Sequence, residues 1–320
     1  MIKTRQAVLT GPGDVTVVRT LLNEPADGQV LIRVTQCGLC SGEVDQWRGV
    51  VEPYLGGIGH EVAGIVEQVG SGVDTLNAGD HVVAWVPGGG FAEWMVIWAA
   101  DALVVRPDVS FPAVAEPLSC CVNSVELTQP ALGDDVVIVG TGYMSYLIQA
   151  LSILRGARSI TVIGRRDEPL RRASDLGATR IVDASSESVV AAVEDATDGQ
   201  LADVVYEVTG AAEPLGHAEM LVRQGGKLAI VGYHQGEPRA MRLGHLNFNA
   251  VTIVNCHFRD KRQIMWGMAR GMRLVESRKL DLTRLATHVY SLDDIGQAFI
   301  DAAERPPGFV KAVVAPSVDG

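Results

Sequence analysis

The chain has no excess of basic residues, no long uninterrupted apolar run and few cysteines, and each shortage closes off a class of function. Lys and Arg number 27 against 38 Asp and Glu, a formal net charge of −11. A general nucleic-acid binder needs dense positive charge to neutralise phosphates, so no such partner is expected, although a local basic pocket for a nucleotide stays compatible with this balance. The most apolar stretch, residues 136–154, is interrupted by the glycine turn Gly140-Thr141-Gly142. A strand followed by a buried helix explains that stretch better than a membrane span, and no membrane partner is expected. Met1-Ile2-Lys3-Thr4-Arg5 is followed by no apolar core with a small-residue cleavage site, so no secretory signal is visible. Five cysteines, an odd number, do not suggest a disulfide framework. Reduced thiols and a cytoplasmic location are the simpler expectation. No internal repeat, low-complexity tract or flexible linker is present.

What is there reads as a globular α/β protein. Hydrophobic residues make up 47% and charged residues 20%, and 320 residues suffice for two domains, each with its own core. Up to about residue 123, short segments are punctuated by glycine turns roughly every eight to twelve residues, as in an all-β, barrel-like domain. Over residues 124–255 strands at 136–139, 159–163, 180–182, 204–207 and 227–231 alternate with helices, which argues for a parallel, doubly wound sheet. Residues 256–320, with a long helical segment around 263–277, are harder to place by pattern.

Two motifs carry the chemistry. Cys37-Gly38-Leu39-Cys40 and, about twenty residues later, Gly59-His60-Glu61-Val62-Ala63-Gly64 each set metal donors beside glycines that let the backbone turn around a small site. A thiolate, an imidazole and a carboxylate are ligand types that zinc takes, and three protein ligands with an open position is its catalytic arrangement. Cys37 and Cys40 also read as a redox pair, but the helix that normally follows such a pair in a thioredoxin-like unit is not apparent. Cys120, Cys121 and Cys256 are explained as small buried residues. The second motif is Asp135-Val136-Val137-Ile138-Val139-Gly140-Thr141-Gly142-Tyr143-Met144-Ser145. It is a β-branched strand running into a glycine turn and a helix, the first βα unit of a dinucleotide-binding fold. Gly140 and Gly142 let helix N-terminal amides face a pyrophosphate, and Ser145 stands at the third glycine position.

With these motifs the chain resembles the zinc-dependent medium-chain dehydrogenase/reductase family of alcohol and polyol dehydrogenases, over nearly its whole length. Further matches are Ala26-Asp27-Gly28-Gln29-Val30-Leu31-Ile32-Arg33-Val34, Val69-Gly70-Ser71-Gly72-Val73, Ala78-Gly79-Asp80-His81-Val82, Gly90-Phe91-Ala92-Glu93-Trp94, Glu116-Pro117-Leu118 and His288-Val289-Tyr290-Ser291-Leu292. The resemblance implies a doubly wound Rossmann sheet (residues 124–255) and a GroES-like, mainly-β catalytic domain (residues 1–123 and 256–320), with the active site in the cleft between them. It implies a catalytic zinc held by Cys40 and His60, with Glu61 as a ligand or exchanging with one, and Glu116 supplying a further position. Each residue has a plainer alternative: Cys40 a buried apolar residue, His60 a hydrogen-bonded turn residue, Glu61 a paired carboxylate, Glu116 a helix-start residue beside Pro117. Many relatives carry four closely spaced cysteines for a structural zinc. Here Trp85-Val86-Pro87-Gly88-Gly89-Gly90 joins the flanking segments directly, so one catalytic and no structural zinc is expected. A homo-oligomer, dimer or tetramer, is implied by resemblance alone.

The chemistry expected is hydride transfer between a nicotinamide and a small alcohol or ketone, with zinc polarising the substrate oxygen. Most relatives place Ser or Thr two residues after the ligand cysteine to carry the proton. That position is Gly42, leaving Ser41, Glu43 or a water. After the second strand of the nucleotide domain comes Gly164-Arg165-Arg166 rather than an acid. Arg165 and Arg166 offer phosphate binding, and NADP is expected over NAD, the plainer reading being solvated helix-entry charges. The function expected is a zinc-dependent dehydrogenase of a secondary alcohol, polyol, cyclitol or sugar-like substrate. The alternative is a zinc-independent NADPH reductase of an activated double bond, disfavoured by Cys40 and His60 and kept open by Gly42.

Overall fold

The structure, a computed structural model, describes residues 1–52 and 57–316. In chain order it begins with a hairpin of β1 (Ile2–Gly11) and β2 (Asp14–Leu22), then β3 (Gln29–Gly38), helix α1 (Ser41–Trp47), β4 (Glu61–Val69), β5 (His81–Trp85), β6 (Trp94–Trp98), β7 (Ala102–Val104) and α2 (Ala115–Thr128). An alternating segment follows: β8 (Asp135–Val139), α3 (Tyr143–Arg155), β9 (Ser159–Gly164), α4 (Asp167–Asp175), β10 (Arg180–Asp183), α5 (Val189–Ala196), β11 (Ala202–Glu207), α6 (Ala212–Ala218), β12 (Val222–Ile230), α7 (Leu243–Phe248) and β13 (Thr252–Asn255). The chain closes with α8 (Lys261–Glu276), β14 (His288–Tyr290), α9 (Ile295–Glu304) and β15 (Ala312–Val314). It forms two compact units, Met1–Ser119 with Ile264–Gly320, and Cys120–Gln263. Among the described residues no helix is long and apolar enough to cross a membrane.

In the first unit seven strands form one sheet in the order β14-β15-β3-β4-β5-β7, with β6 also on β3. Strand β3 is long enough to divide one edge between two partners. Residues 29–33 pair with β6, while Cys37 and Gly38 pair with Val314 and Val313 of β15. Its other edge sets Gly38 opposite Glu61. Alternate apolar side chains of β3 and β4, among them Val30, Ile32, Val34, Val62 and Val66, pack with Phe91 and with Phe299 of α9 into one core. Burial of this kind contributes roughly 25 cal/mol per Å² of apolar surface and fixes the register, since a one-residue slip would turn every inward side chain out.

In the second unit six strands lie in the order β10-β9-β8-β11-β12-β13, and every pairing is parallel. Central β8 is buried along its whole length, as a β-branched run covered on both faces should be. The doubly wound sheet and the mainly-β unit expected from the sequence are both present. The sixth strand, β13, was not among the five read from the pattern. It is a four-residue edge strand whose residues stay largely exposed.

Candidate metal centre and cofactor-binding edge

Two glycines position the metal-type donors. Gly59 has a φ of +90°, and a Cβ there would lie 2.5 Å from the Phe91 amide nitrogen. Only glycine permits that turn, which delivers His60 to the start of β4. Across the ladder, a Cβ on Gly38 would fall 2.0 Å from the Glu61 carboxylate, so this second glycine vacates the space Glu61 occupies. Cys40 is the N-cap of α1. Donor atoms of Cys40, His60 and Glu61 come within 4.8 Å of one another. Glu116 lies in the first turn of α2, half-buried, and is not among the atoms gathered there.

Glu43, one turn into α1, organises the cluster. Its buried carboxylate accepts the Cys40 N–H at 3.1 Å and the Gly59 N–H at 2.5 Å, and meets His60 Nδ1 at 2.9 Å. Burial by itself would raise the Glu43 pKa; the charge and hydrogen bond of His60, with the two backbone donors, outweigh it and leave the group below its ordinary value. For His60 burial works downward, and the Glu43 charge overrides it and lifts the imidazole well above its usual range. A carboxylate at Nδ1 selects the tautomer that leaves Nε2 to a metal. Lys311, just before β15, is buried with its Nζ 2.7 Å from the Glu61 carboxylate and 2.9 Å from the Leu39 carbonyl oxygen. Burial would depress the lysine, but Glu61 more than compensates, so it stays charged. The donor set suits a divalent ion by type: a sulfur, an imidazole nitrogen and a carboxylate oxygen are ligand atoms that zinc takes.

The remaining sequence candidates are placed as follows. Cys37 is a fully buried core residue, its thiol pushed well up by burial, while Cys40 is half-buried; both are free. Ser41 opens α1, is exposed, and its hydroxyl makes no hydrogen bond among the described residues. Gly42 carries no side chain beside it.

In the second unit the loops after β8, β9 and β11 converge at the C-terminal edge of the sheet. Gly140 has a φ of +121°, and a Cβ there would meet the Thr209 side chain at 2.7 Å; beside Gly142 there is open space. That opening fronts the first turn of α3, whose N-terminal amides have no side-chain cap, so the residues present fit a pyrophosphate. Ser145 is buried on α3. A Cβ on Gly164 would lie 2.6 Å from the Thr141 methyl, so Thr141 leaves no room for a side chain at that position. Arg166 is the N-cap of α4, and exposed Arg165 pairs with Glu213 of α6. Buried Glu207 at the end of β11 accepts the Thr209 N–H at 2.7 Å and meets His234 Nε2 at 2.8 Å. Glu43 was read in the sequence only as a proton carrier, although its place three residues after the helix N-cap marks a capping position. Lys311 and Glu213 were not read at all; a lone lysine in Phe309-Val310-Lys311-Ala312-Val313-Val314 was the one signal for the former.

Residues 26–108 match the model of an alcohol dehydrogenase GroES-like domain, and residues 126–270 that of a zinc-binding dehydrogenase. The chain is 28% identical to the L-threonine 3-dehydrogenase of Colwellia psychrerythraea, over 90% of this chain and 92% of that protein. It is 26% identical to the D-xylulose reductase of Saccharomyces cerevisiae, over 96% of each. A Sinorhizobium meliloti protein described as a zinc-binding dehydrogenase and bound to NADP superposes with a TM-score of 0.88 at 25% identity, covering 99% of this chain and 100% of that one.

Proposed function

Because the chain belongs to the zinc-type medium-chain alcohol dehydrogenase family, we propose that it transfers a hydride between NADP(H) and a secondary alcohol or ketone of polyol, cyclitol or sugar type, using one zinc ion. The observation that carries this reading is the convergence of Cys40, His60 and Glu61 within 4.8 Å, with His60 oriented by Glu43. Zinc bound there would act as a Lewis acid on the substrate oxygen, and the nicotinamide would give or take the hydride.

The chain's own groups do the rest. Cys40 and His60 would hold the ion, Glu61 would lend a carboxylate whose charge Lys311 offsets, and Glu116 would supply a further carboxylate. Glu43 keeps His60 in the tautomer a metal requires. The Ser41 hydroxyl both donates and accepts, as a proton relay needs, and it is exposed in place of the side chain that Gly42 lacks. Gly140 and Gly142 leave the first turn of α3 open to the pyrophosphate, and Arg165 and Arg166 favour the additional phosphate of NADP.

A turnover screen of polyols, cyclitols and sugar alcohols with NADP and with NAD tests the reading. Oxidation of at least one such alcohol, faster with NADP, is expected. An active metal-free protein that reduces an activated double bond instead would overturn it.

A further inference from the structure

We propose that Glu213 is a specificity-determining residue that sets cofactor preference by competing with the additional phosphate of NADP for Arg165. This rests on the reading of Arg165 as a phosphate-binding residue. Arg165 follows β9 and Glu213 lies in the first turn of α6, which follows β11. In the sheet β8 separates β9 from β11, so the ion pair spans two strand spacings, about 10 Å, above the exit of β8. The chain at that exit is Gly140-Thr141-Gly142, the open glycine turn. Thr141 packs on the Gly164 backbone and Thr209 on the Gly140 backbone, so all three loops lean together beneath the pair. The Arg165–Glu213 contact thus closes over the edge where the adenosine half of a dinucleotide must lie.

Besides Arg165, His217 of its own helix also acts on Glu213, and the acids that follow Arg165 are engaged within α4. Asp167 pairs with Arg171 and Glu168 with Arg172, each within α4. Both members of the bridge are more than half exposed, so it is weak and easily exchanged. A phosphate dianion, with more charge and three acceptor oxygens, takes Arg165 from a carboxylate. Glu213 then remains close by as a like charge and lowers NADP affinity. With NAD that additional phosphate is absent, the bridge stays closed, and Glu213 supplies the carboxylate that Gly164 excludes from the end of β9.

The test is fluorescence titration of NADPH and NADH, a binding readout that needs no turnover, on the full chain, E213Q, R165A and the double variant. E213Q should tighten NADPH by about threefold to tenfold without tightening NADH, the gain shrinking at high salt. In the R165A background the same substitution should change little. Unchanged NADPH affinity in E213Q, equal gains for both cofactors, or a gain that persists without Arg165 overturns the inference. If R165A itself leaves NADPH binding untouched, it is the NADP reading that fails.

Discussion

Replacing Glu43 by Gln keeps the shape of the side chain while removing the charge that faces His60 Nδ1 at 2.9 Å. Groups that orient a ligand histidine typically carry roughly tenfold to a hundredfold in metal affinity. Glu43→Gln should therefore weaken zinc by that amount in competition with a chromophoric chelator, and Glu43→Asp should recover part of it. Ser41→Ala should lower turnover by about a hundredfold if its hydroxyl relays the proton, with zinc content unchanged; wild-type turnover would leave the step to water. The metal-type donors Cys40, His60 and Glu61 were legible because they fall in two short, glycine-containing motifs. The role of Glu43 was not, because His60 lies 17 residues away. Lys311 was further out of reach, meeting Glu61 from 250 residues downstream.

The turn before β4 ties the site to the fold. Gly59→Ala forces a Cβ into the Phe91 backbone at a φ of +90°, a strain on the order of 1–3 kcal/mol. A lowered urea midpoint together with weaker zinc binding is expected, since His60 moves with the turn; loss of stability with unchanged zinc affinity would separate the two. Strand β8 begins with an ion pair between Asp135 and Arg158 at 2.6 Å. Burial would raise the Asp135 pKa, but hydrogen bonds from Arg158 and Ser159 and the arginine's charge hold it below the ordinary carboxylate range. A depressed folded-state pKa stabilises the native form above the unfolded value near 3.9 and loses that contribution as pH falls through the folded value. Urea midpoints measured downward from about pH 5 should fall less steeply in Asp135→Asn than in the parent chain. The other five strands of the nucleotide unit are visible as apolar β-branched runs; β13 carries a β-branched stretch as well, Val251-Thr252-Ile253-Val254, but a short one at an exposed edge beside the domain boundary.

For the whole molecule, elemental analysis should return close to one zinc per chain. Chelation should lower Tm, because an ion that binds only the folded chain stabilises it by mass action. Two zincs per chain would contradict the reading that the absent four-cysteine lobe leaves a single site. Local patterns by themselves determined the α/β class and the two motifs, and the family resemblance that those motifs carry implied the rest: strand–glycine–helix periodicity and the cysteine and histidine spacing are short-range features, which short-range backbone preference and apolar period suffice to express. Only the tertiary structure decided which charges meet. Glu43 with His60, Lys311 with Glu61 and Arg165 with Glu213 are each joined by the pairing of strands or the packing of loops distant in sequence. A side chain's charge is written in its own position, whereas its partner depends on sheet order and register, which the interior packing of all the strands sets together.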